Sequence, residues 1–239
     1  MRTSVARAGA ALAAAATMPG ARLAALAGCL FVASCAGGAR PATVPVAGDW
    51  RIEAEQAAFV TFGDGIDIET PAGLSLWYRH ELRGSVAIDF DALAVSEGGA
   101  HDEVSDLNAF WMARDPHLHG GSVFAKKRSG AFAEYDDLQT YYVGIGGNRN
   151  TTTRFRRYIG APGNRPLLPG HDLKGAENLL VANRWTHVRL IADGQHIAVE
   201  RDGRRIFTLE DARPYRRGWF ALRTTRSHLR IRNLRIEKP

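Results

Sequence analysis

The chain has 239 residues, 45% of them hydrophobic, so it is long enough to bury the core of one large domain. Its formal net charge of +6 falls to +3 without Arg2, Arg7 and Arg22 of the N-terminal segment, because 28 of the 31 basic residues then remain against 25 acidic ones. This small surplus forms no continuous basic stripe along the chain, which excludes a general nucleic-acid binder.

Residues 1–35 are expected to be an export signal of the lipoprotein type. Small and apolar residues dominate there, and Pro19 and Gly20 interrupt the run, which argues against one membrane-spanning helix. The segment Val32-Ala33-Ser34-Cys35 resembles the lipobox of bacterial lipoproteins, in which the cysteine becomes the lipidated N-terminus. Cys29 is the alternative site, and an ordinary secretory signal is the alternative interpretation. The sequence therefore predicts an exported cell-envelope protein that touches the membrane only through a lipid on Cys35.

The next segment, residues 36–48 (AGGARPATVPVAG), predicts a flexible tether, because small residues and prolines dominate it. The folded domain is expected over residues 49–239. From Trp50 onward, short alternating runs are separated by Gly, Asp, Asn and Pro, with hardly any helical periodicity. The predicted strands are 50–54, 66–69, 74–81, 85–94, 108–113, 140–145, 152–158, 185–192, 196–201, 205–210, 219–223 and 228–237.

These strands each carry one hydrophobic face, which predicts an all-β fold of two packed antiparallel sheets, a jelly-roll sandwich. Asp193-Gly194 and Asp202-Gly203 lie between alternating runs, where tight hairpin turns need residues that tolerate positive φ. In the last strand the apolar parity changes between Ile231 and Leu234. That slip predicts a β-bulge near Arg232 and Asn233.

Several motifs follow one another in the C-terminal half: W-x-x-V-x-L, two DG turns around an I-x-V strand, GWFALRTT, and the closing HLRIRNLRI. This order resembles the concanavalin A-like lectin/glucanase superfamily, and the ending resembles sandwich domains that include 3-keto-disaccharide hydrolases. The segments SDLNAFWMARDP, YYVGIGGNRNTTTRFRRY and GWFALRTT resemble an uncharacterised bacterial domain family of that superfamily, associated with secreted carbohydrate-utilisation proteins. The resemblance implies a concanavalin A-like sandwich over residues 50–237 that holds a saccharide on the face of one sheet.

The segment 139–158 (QTYYVGIGGNRNTTTRFRRY) has the residue types of an anion receptor. It contains four arginines, and no acid occurs between Leu138 and His171. Arginine offers a fork of donors that matches a carboxylate, and strand alternation places Arg154 and Arg156 on one face. A solvated arginine-rich strand is the alternative. The residues expected to surround an acidic oligo- or polysaccharide here are Arg154, Arg156, Tyr142, Tyr158, Asn148 and Asn150.

A second candidate strand is Asn108 to Arg114. Alternation places Asn108, Phe110, Met112 and Arg114 on one face and Trp111 on the other. Asn108 and Arg114 are therefore predicted to flank the ligand, or Trp111 to stack on a sugar ring. The alternative for Trp111 is a buried core position.

If the ligand is a uronate, these residue types suit β-elimination. Arg and Asn would neutralise the carboxylate and acidify the neighbouring C–H, and Tyr142 or His119 would remove the proton, with Tyr158 as an alternative acid. Glycoside hydrolysis needs two carboxyl groups, and the E-x-D-x-x-E motif of sandwich glucanases is absent. The remaining candidate acids are Glu134, Asp136 and Asp137, or Asp106 with Asp115.

The sequence thus predicts a cell-envelope carbohydrate-active protein that acts on an acidic, uronate-containing saccharide, as a polysaccharide lyase or a glycoside-cleaving enzyme. The alternatives are a non-catalytic carbohydrate-binding lipoprotein and a structural envelope protein without a sugar ligand. No cofactor is predicted. No metal site is predicted either, because His117 and His119 have no third ligand marked by spacing.

Overall fold

The computed structural model describes residues 42–43 and 46–239, and the predicted signal with its lipidation site at Cys35 lies outside these residues. Within the described ranges, short 3₁₀ helices occupy Ala47–Asp49, His119–Gly121, Phe132–Tyr135 and Ala176–Asn178, and one helical turn occupies Gly147–Asn150. The strands are β1 (Ala42–Thr43), β2 (Trp50–Ala54), β3 (Phe59–Phe62), β4 (Gly65–Tyr78), β5 (Leu82–Arg83), β6 (Val86–Ala94), β7 (Leu107–Arg114), β8 (Gln139–Gly146), β9 (Thr152–Ile159), β10 (Asp172–Leu173), β11 (Thr186–Asp193), β12 (His196–Arg201), β13 (Arg204–Glu210) and β14 (Arg217–Glu237).

These strands pair antiparallel and form one continuous hydrogen-bonded sheet that curls into two layers. The first layer has the order β10-β9-β8-β7-β14-β4-β2, and the second has the order β3-β4-β14-β6-β11-β12-β13. The long strands β4 and β14 belong to both layers. The predicted all-β antiparallel sandwich is confirmed, and the backbone pairing continues from one layer into the other.

The core lies between the two layers. Trp111 and Phe155 of the first layer have ring centroids 5.8 Å apart, and Phe155 lies 5.9 Å from Phe207 of the second layer. Trp111 is 0% exposed. The prediction that Trp111 stacks on a sugar ring is therefore wrong, because its indole is buried between the layers.

Two of the predicted strand divisions are absent. Strand β4 joins residues 66–69 with 74–78, so the predicted strand 74–81 ends three residues early, and β14 joins 219–223 with 228–237. In β14, Arg226 has a φ of 42°, and the register with β4 shifts between Thr225 and Ser227. This irregularity lies where β14 passes from the first layer into the second. The predicted bulge is confirmed, since Asn233 has a φ of 54° and the register with β6 shifts between Arg232 and Arg235.

Both predicted hairpin turns are present. Arg201 pairs with Arg204 across Asp202-Gly203, whose φ angles of 50° and 75° are those of a tight primed turn. The other turn lies one residue later than expected, at Gly194-Gln195.

The predicted tether contains paired backbone. The short strand β1 pairs with Ile236 and Arg235 of β14, and the helix Ala47–Asp49 precedes β2. Part of the predicted tether therefore has regular secondary structure among the residues described. Among the residues described, helices are too short or too polar to cross a bilayer.

Candidate functional site

The face of the first layer that points away from the interlayer core is divided along its strands into an apolar half and a polar half. The apolar half is covered by residues 115–138, here called the cover loop, through which Val123, Tyr135 and Leu138 pack against the sheet. Four sheet residues beneath the cover loop are at most 1% exposed: Trp77, Phe110, Tyr158 and Ala221. Only the polar half remains open to a ligand.

The cover loop is held by a buried arginine. Arg128 forms ion pairs with Asp115 at 2.7 Å and Asp137 at 3.1 Å, and it donates to the carbonyl oxygens of Glu134 and Val123. The side chains of Arg128 and Asp115 are 0% and 1% exposed. All three nitrogens of the Arg128 guanidinium form hydrogen bonds or ion pairs, so the cover loop is a fixed part of the fold.

A buried carboxylate on β2 also holds the cover loop. Tyr135 Oη and Trp77 Nε1 each donate to Glu53 Oε2 at 3.0 Å. Burial raises the pKa of Glu53, and the two hydrogen bonds oppose that shift.

The loop acids that were candidates for glycoside hydrolysis are already bound to protein groups. Asp115 and Asp137 contact Arg128, Asp136 Oδ1 lies 2.5 Å from Arg165 Nε, and Glu134 accepts hydrogen bonds from Ser129. None of these four acids lines the open half of the face. The structure therefore does not place them on either side of a ligand as a hydrolytic pair.

The polar half of the face contains a pocket of about 320 Å³, here called the arginine pocket. That volume falls in the range of small-molecule sites, roughly 300–1,000 Å³. Among the residues that the structure describes, five arginines and one carboxylate line it, and three of these arginines pair with acids outside the lining. The lining residues are Asp106, Asn108, Phe132, Tyr142, Gly144, Gly147, Asn148, Arg149, Thr152, Arg154, Arg156, Arg165, Arg223 and Thr225.

Arg223 of β14 is the most deeply buried of these arginines, at 3% exposed. Its Nη1 contacts the carbonyl oxygens of Leu74 and Thr224 at 3.5 and 3.3 Å, and its Nε has no hydrogen-bond partner. No carboxylate of the described chain lies within 4 Å of its guanidinium. Burial lowers the pKa of Arg223. An unpaired guanidinium donor in a buried setting is costly, and the positive charge of Arg223 lies in the pocket lining, where it would attract an anion.

Asn108 of β7 lies beside Arg223 in the sheet, where the two residues pair directly. Asn108 is 3% exposed, and its Oδ1 has no donor. A methyl group on Gly144 would lie 2.8 Å from this oxygen and 2.5 Å from Tyr142 Oη, so both atoms converge above the bare backbone of Gly144. The pocket thus offers an unpaired acceptor close to an unpaired cationic donor.

Among the residues that the structure describes, Asp106 supplies the only carboxylate of the pocket lining. Burial raises its pKa above that of an ordinary aspartate, although hydrogen bonds with Ser105 and Asn108 and the charge of Arg223 oppose the shift. Burial likewise raises the pKa of Tyr142, so its phenol stays protonated at neutral pH.

The remaining arginines differ in how far they are neutralised. Arg154 forms a bidentate pair with Asp172, with Nε–Oδ1 2.8 Å and Nη2–Oδ2 3.2 Å. Arg165 pairs with Asp136 and lies 4.3 Å from the ring centroid of Phe132. Arg156 donates to the carbonyl oxygen of Arg165 and has no carboxylate within 4 Å among the residues that the structure describes. Arg156 and Arg223 are thus the cations most available to a ligand.

Five of the predicted site residues line the arginine pocket: Asn108, Tyr142, Asn148, Arg154 and Arg156. The turn at Gly147–Asn150 carries Asn148 to the rim, because Asn148 and Arg149 adopt left-handed dihedral angles, with φ of 54° and 56°.

Four further predicted residues lie elsewhere. Tyr158 is 0% exposed beneath the cover loop, so it cannot meet a substrate. His119 is an exposed residue of the helix His119–Gly121 and does not line the pocket. Asn150 holds the backbone of Leu180, donating to its carbonyl oxygen at 2.9 Å and accepting from its N–H at 2.8 Å. These positions correct the proposed catalytic roles of Tyr158 and His119 and the binding role of Asn150.

The fourth predicted residue that lies outside the pocket is Arg114 of β7. The alternation of β7 breaks at Met112, which has a φ of 54°, and the register with β8 shifts between Trp111 and Arg114. Met112 consequently packs in the interlayer core together with Trp111. Arg114 lies against Gly121, outside the pocket, where a methyl group on that glycine would be 2.9 Å from its Nη2.

The sequence interpretation missed Arg223, Arg165, Phe132 and Thr225, and it considered Asp106 only as a partner for Asp115. A signal for Arg223 was present in GWFALRTT, where alternation separates Ala221, Arg223 and Thr225 from the core residues Phe220 and Leu222. An arginine on the outer side of an otherwise apolar strand segment indicates a candidate binding residue.

Comparisons with known proteins agree on the fold. A family described as Domain of unknown function (DUF6250) matches residues 68–234. Similar solved structures include a protein of unknown function with galectin-like fold from Bacillus subtilis, with TM-score 0.60, 14% identity, and coverage of 80% of this chain and 90% of that chain. Carbohydrate binding module CBM66 from Bacillus subtilis matches with TM-score 0.54, 10% identity, and 80% and 96% coverage.

The exoplasmic/lumenal domain of VIP36, solved in its Ca²⁺/Man3GlcNAc-bound form, matches with TM-score 0.51, 10% identity, and coverage of 80% of this chain and 84% of that chain. At such identities the similarity establishes the fold alone, and it confirms the lectin-like sandwich that the sequence motifs predicted. A search of curated proteins gave no match.

Proposed function

The chain belongs to the family described as Domain of unknown function (DUF6250), which matches most of its length, and from this premise we propose that it binds an acidic saccharide in the arginine pocket. The carboxylate of a uronate residue would contact Arg223, and a ring hydroxyl would donate to Asn108. Arg156 would add positive charge at the wall of the pocket.

The observation that carries this proposal is the pairing of two unsatisfied groups. Arg223 Nε lacks an acceptor and Asn108 Oδ1 lacks a donor, and the two residues are neighbours in the sheet. A simple anion such as chloride would satisfy only the arginine. A uronate carries both a carboxylate and hydroxyl groups, so it offers a partner to each of these two residues of the pocket lining.

The fold supports the saccharide part of the proposal. Two of the similar structures are described as a carbohydrate binding module and as a domain bound to Man3GlcNAc. The acidic part rests on Arg156 and Arg223, the two arginines of the pocket lining that have no carboxylate within 4 Å among the described residues.

A calorimetric titration with matched sugar pairs tests the proposal. Galacturonate, glucuronate and mannuronate are expected to bind, and galactose, glucose and mannose are expected to release no binding heat at the same concentrations. Equal affinity for the acidic and neutral members of a pair would show that Arg223 does not bind the carboxylate. Absence of binding by every sugar would favour a structural envelope protein.

Elimination is the second candidate function, and the presence of Asp106 and Tyr142 in the same pocket as Arg223 favours it. Arg223 would stabilise the charge that develops on the carboxylate when the adjacent C–H proton leaves. Asp106 would accept that proton, and the protonated Tyr142 phenol would give one to the leaving oxygen as the C–O bond breaks. The unsaturated product absorbs ultraviolet light, so an absorbance increase on uronate polymers would establish a lyase, and binding without it would establish a non-catalytic module.

Uronate affinity should depend on pH through Asp106. Its raised pKa means that the carboxyl becomes neutral, as pH falls, before the carboxyl of the ligand does, because a sugar acid has a pKa of about 3.3–3.7. Loss of this negative charge strengthens anion binding, so affinity should rise as pH is lowered from neutral and should fall as pH rises through the pKa of Asp106. Calorimetry across that range should show the effect in the native protein, and Asp106→Asn should bind with a flat profile. A native profile that is equally flat would contradict this account.

Export to the cell envelope and attachment through a lipid on Cys35 remain part of the proposal, because Cys35 lies outside the described residues. Labelling of the expressed protein with a radioactive fatty acid tests it, and Cys35→Ser should lose the label while Cys29→Ser keeps it. Label that follows Cys29 instead would move the lipidation site.

A further inference from the structure

The outer face of the first layer is closed on the side of β4 and β2. The outward residues of these strands are buried, with Glu53 at 4%, Ser75 at 0% and Trp77 at 1% exposed. Gly130 of the cover loop lies directly on them: a methyl group there would be 2.8 Å from the Cα of Ala54 and 2.8 Å from the carbonyl oxygen of Gly73. A saccharide chain that crosses the sheet therefore cannot continue past β14 toward β2.

A second wall closes the pocket along its strands. Phe132 belongs to the cover loop, and Arg165 lies over its ring at 4.3 Å while pairing with Asp136 at 2.5 Å. The ion pair ties the segment that carries Arg165 to the cover loop. Beyond this wall, Tyr158 and Phe110 are fully buried.

Arg223 lies at the closed side of the pocket, since its strand β14 is the neighbour of the covered strand β4. The opposite side leads over Arg154 and Arg156 of β9 to the edge strand β10, where Asp172 and Lys174 are exposed to solvent by 25% and 67%. The pocket is thus closed on two sides, by the covered strands β4 and β2 and by the wall at Phe132 and Arg165.

From this geometry, and resting on the proposed function, we infer that the arginine pocket receives the terminal residue of an acidic saccharide and not an internal segment of a polymer. The carboxylate of that terminal residue is bound by Arg223 at the closed side. The following residue leaves over β9, where it passes Arg156 and the ion pair of Arg154 with Asp172.

Titration with end-modified oligosaccharides tests the inference. The probes are oligomers of galacturonate, glucuronate and mannuronate in three forms: unmodified, reduced to the alditol at the reducing end, and unsaturated at the non-reducing end. One of the two modifications should weaken binding by about tenfold or more, because it alters the residue that fills the pocket. The other should leave the affinity unchanged.

A length series provides an independent readout. For unmodified chains of increasing length, the number of protein molecules bound per chain should stay at one, whatever the number of sugar residues. Stoichiometry that grows with length, or affinity that neither end modification changes, would overturn the inference while leaving the proposed function intact. Absence of binding by all unmodified oligomers would overturn both.

Discussion

Arg223→Met is expected to abolish uronate binding while leaving the fold at least as stable as before. The substitution removes the only unpaired buried guanidinium of the arginine pocket. Truncating one partner of a buried charged pair typically costs about 2–5 kcal/mol of binding free energy, or roughly 30-fold to several thousandfold in affinity. Calorimetric titration with the tightest uronate ligand measures the loss.

The free energy of unfolding of Arg223→Met should not fall, in contrast to its affinity for uronate. In the free protein, Arg223 is a buried charge without an acidic partner, and replacing such a charge by an apolar residue of similar volume is often neutral or stabilising. Denaturant unfolding should therefore show no loss of stability in Arg223→Met. Arg201 provides the matched control, since it is 4% exposed, has an unpaired Nη1 and lies on β12 outside the pocket. Arg201→Met should keep full affinity, and equal loss in both variants would show that binding does not depend on Arg223 specifically.

Arg128→Met is expected to cause the largest loss of stability in the domain. It leaves Asp115 as a buried, uncompensated carboxylate, and breaking one side of a buried pair costs about 3–5 kcal/mol. It also removes the donors to the carbonyl oxygens of Glu134 and Val123, so the cover loop loses its central contact. The free energy of unfolding from denaturant titration measures the effect.

Lys126→Met is the control for this loss. Lys126 contacts the same Asp137 at 2.6 Å, but its side chain is 48% exposed, and exposed ion pairs contribute about 0–1 kcal/mol. A small change in Lys126→Met beside a large one in Arg128→Met would locate the stabilisation in the buried pair. Similar losses in both variants would contradict the central role of Arg128.

Strand periodicity allowed most of the fold to be predicted, because local alternation reports which side of a strand meets the core. The bulge at Arg232 and Asn233 could be predicted in the same way, since its parity slip is visible in the sequence. The continuity of β4 and β14 could not, because a bend between layers carries the same local signals as a strand end. The positive φ of Met112 changes the side of β7 on which Arg114 lies, and the sequence has no glycine there that would indicate such a break in alternation.

The candidate site was predicted where its residues share a strand pair, and it was missed where they come from distant segments. Arg154, Arg156 and Tyr142 lie on β9 and β8, which are adjacent in sequence and in space. Arg223 enters from β14 and Phe132 from the cover loop, and only the sheet order brings them together. Tyr158 lies on the same face of β9 as predicted, but the cover loop buries it. The alternation of residues within one strand cannot predict that a distant loop covers this face.

The most direct test of a uronate site centred on Arg223 is a crystal structure of the protein soaked with a uronate oligosaccharide. The account predicts density for a terminal sugar in the arginine pocket, with a carboxylate oxygen within hydrogen-bond distance of the Arg223 guanidinium and a hydroxyl within that distance of the Asn108 side-chain amide. A sugar bound elsewhere on the domain, or one whose carboxylate points away from Arg223 into solvent, would contradict it.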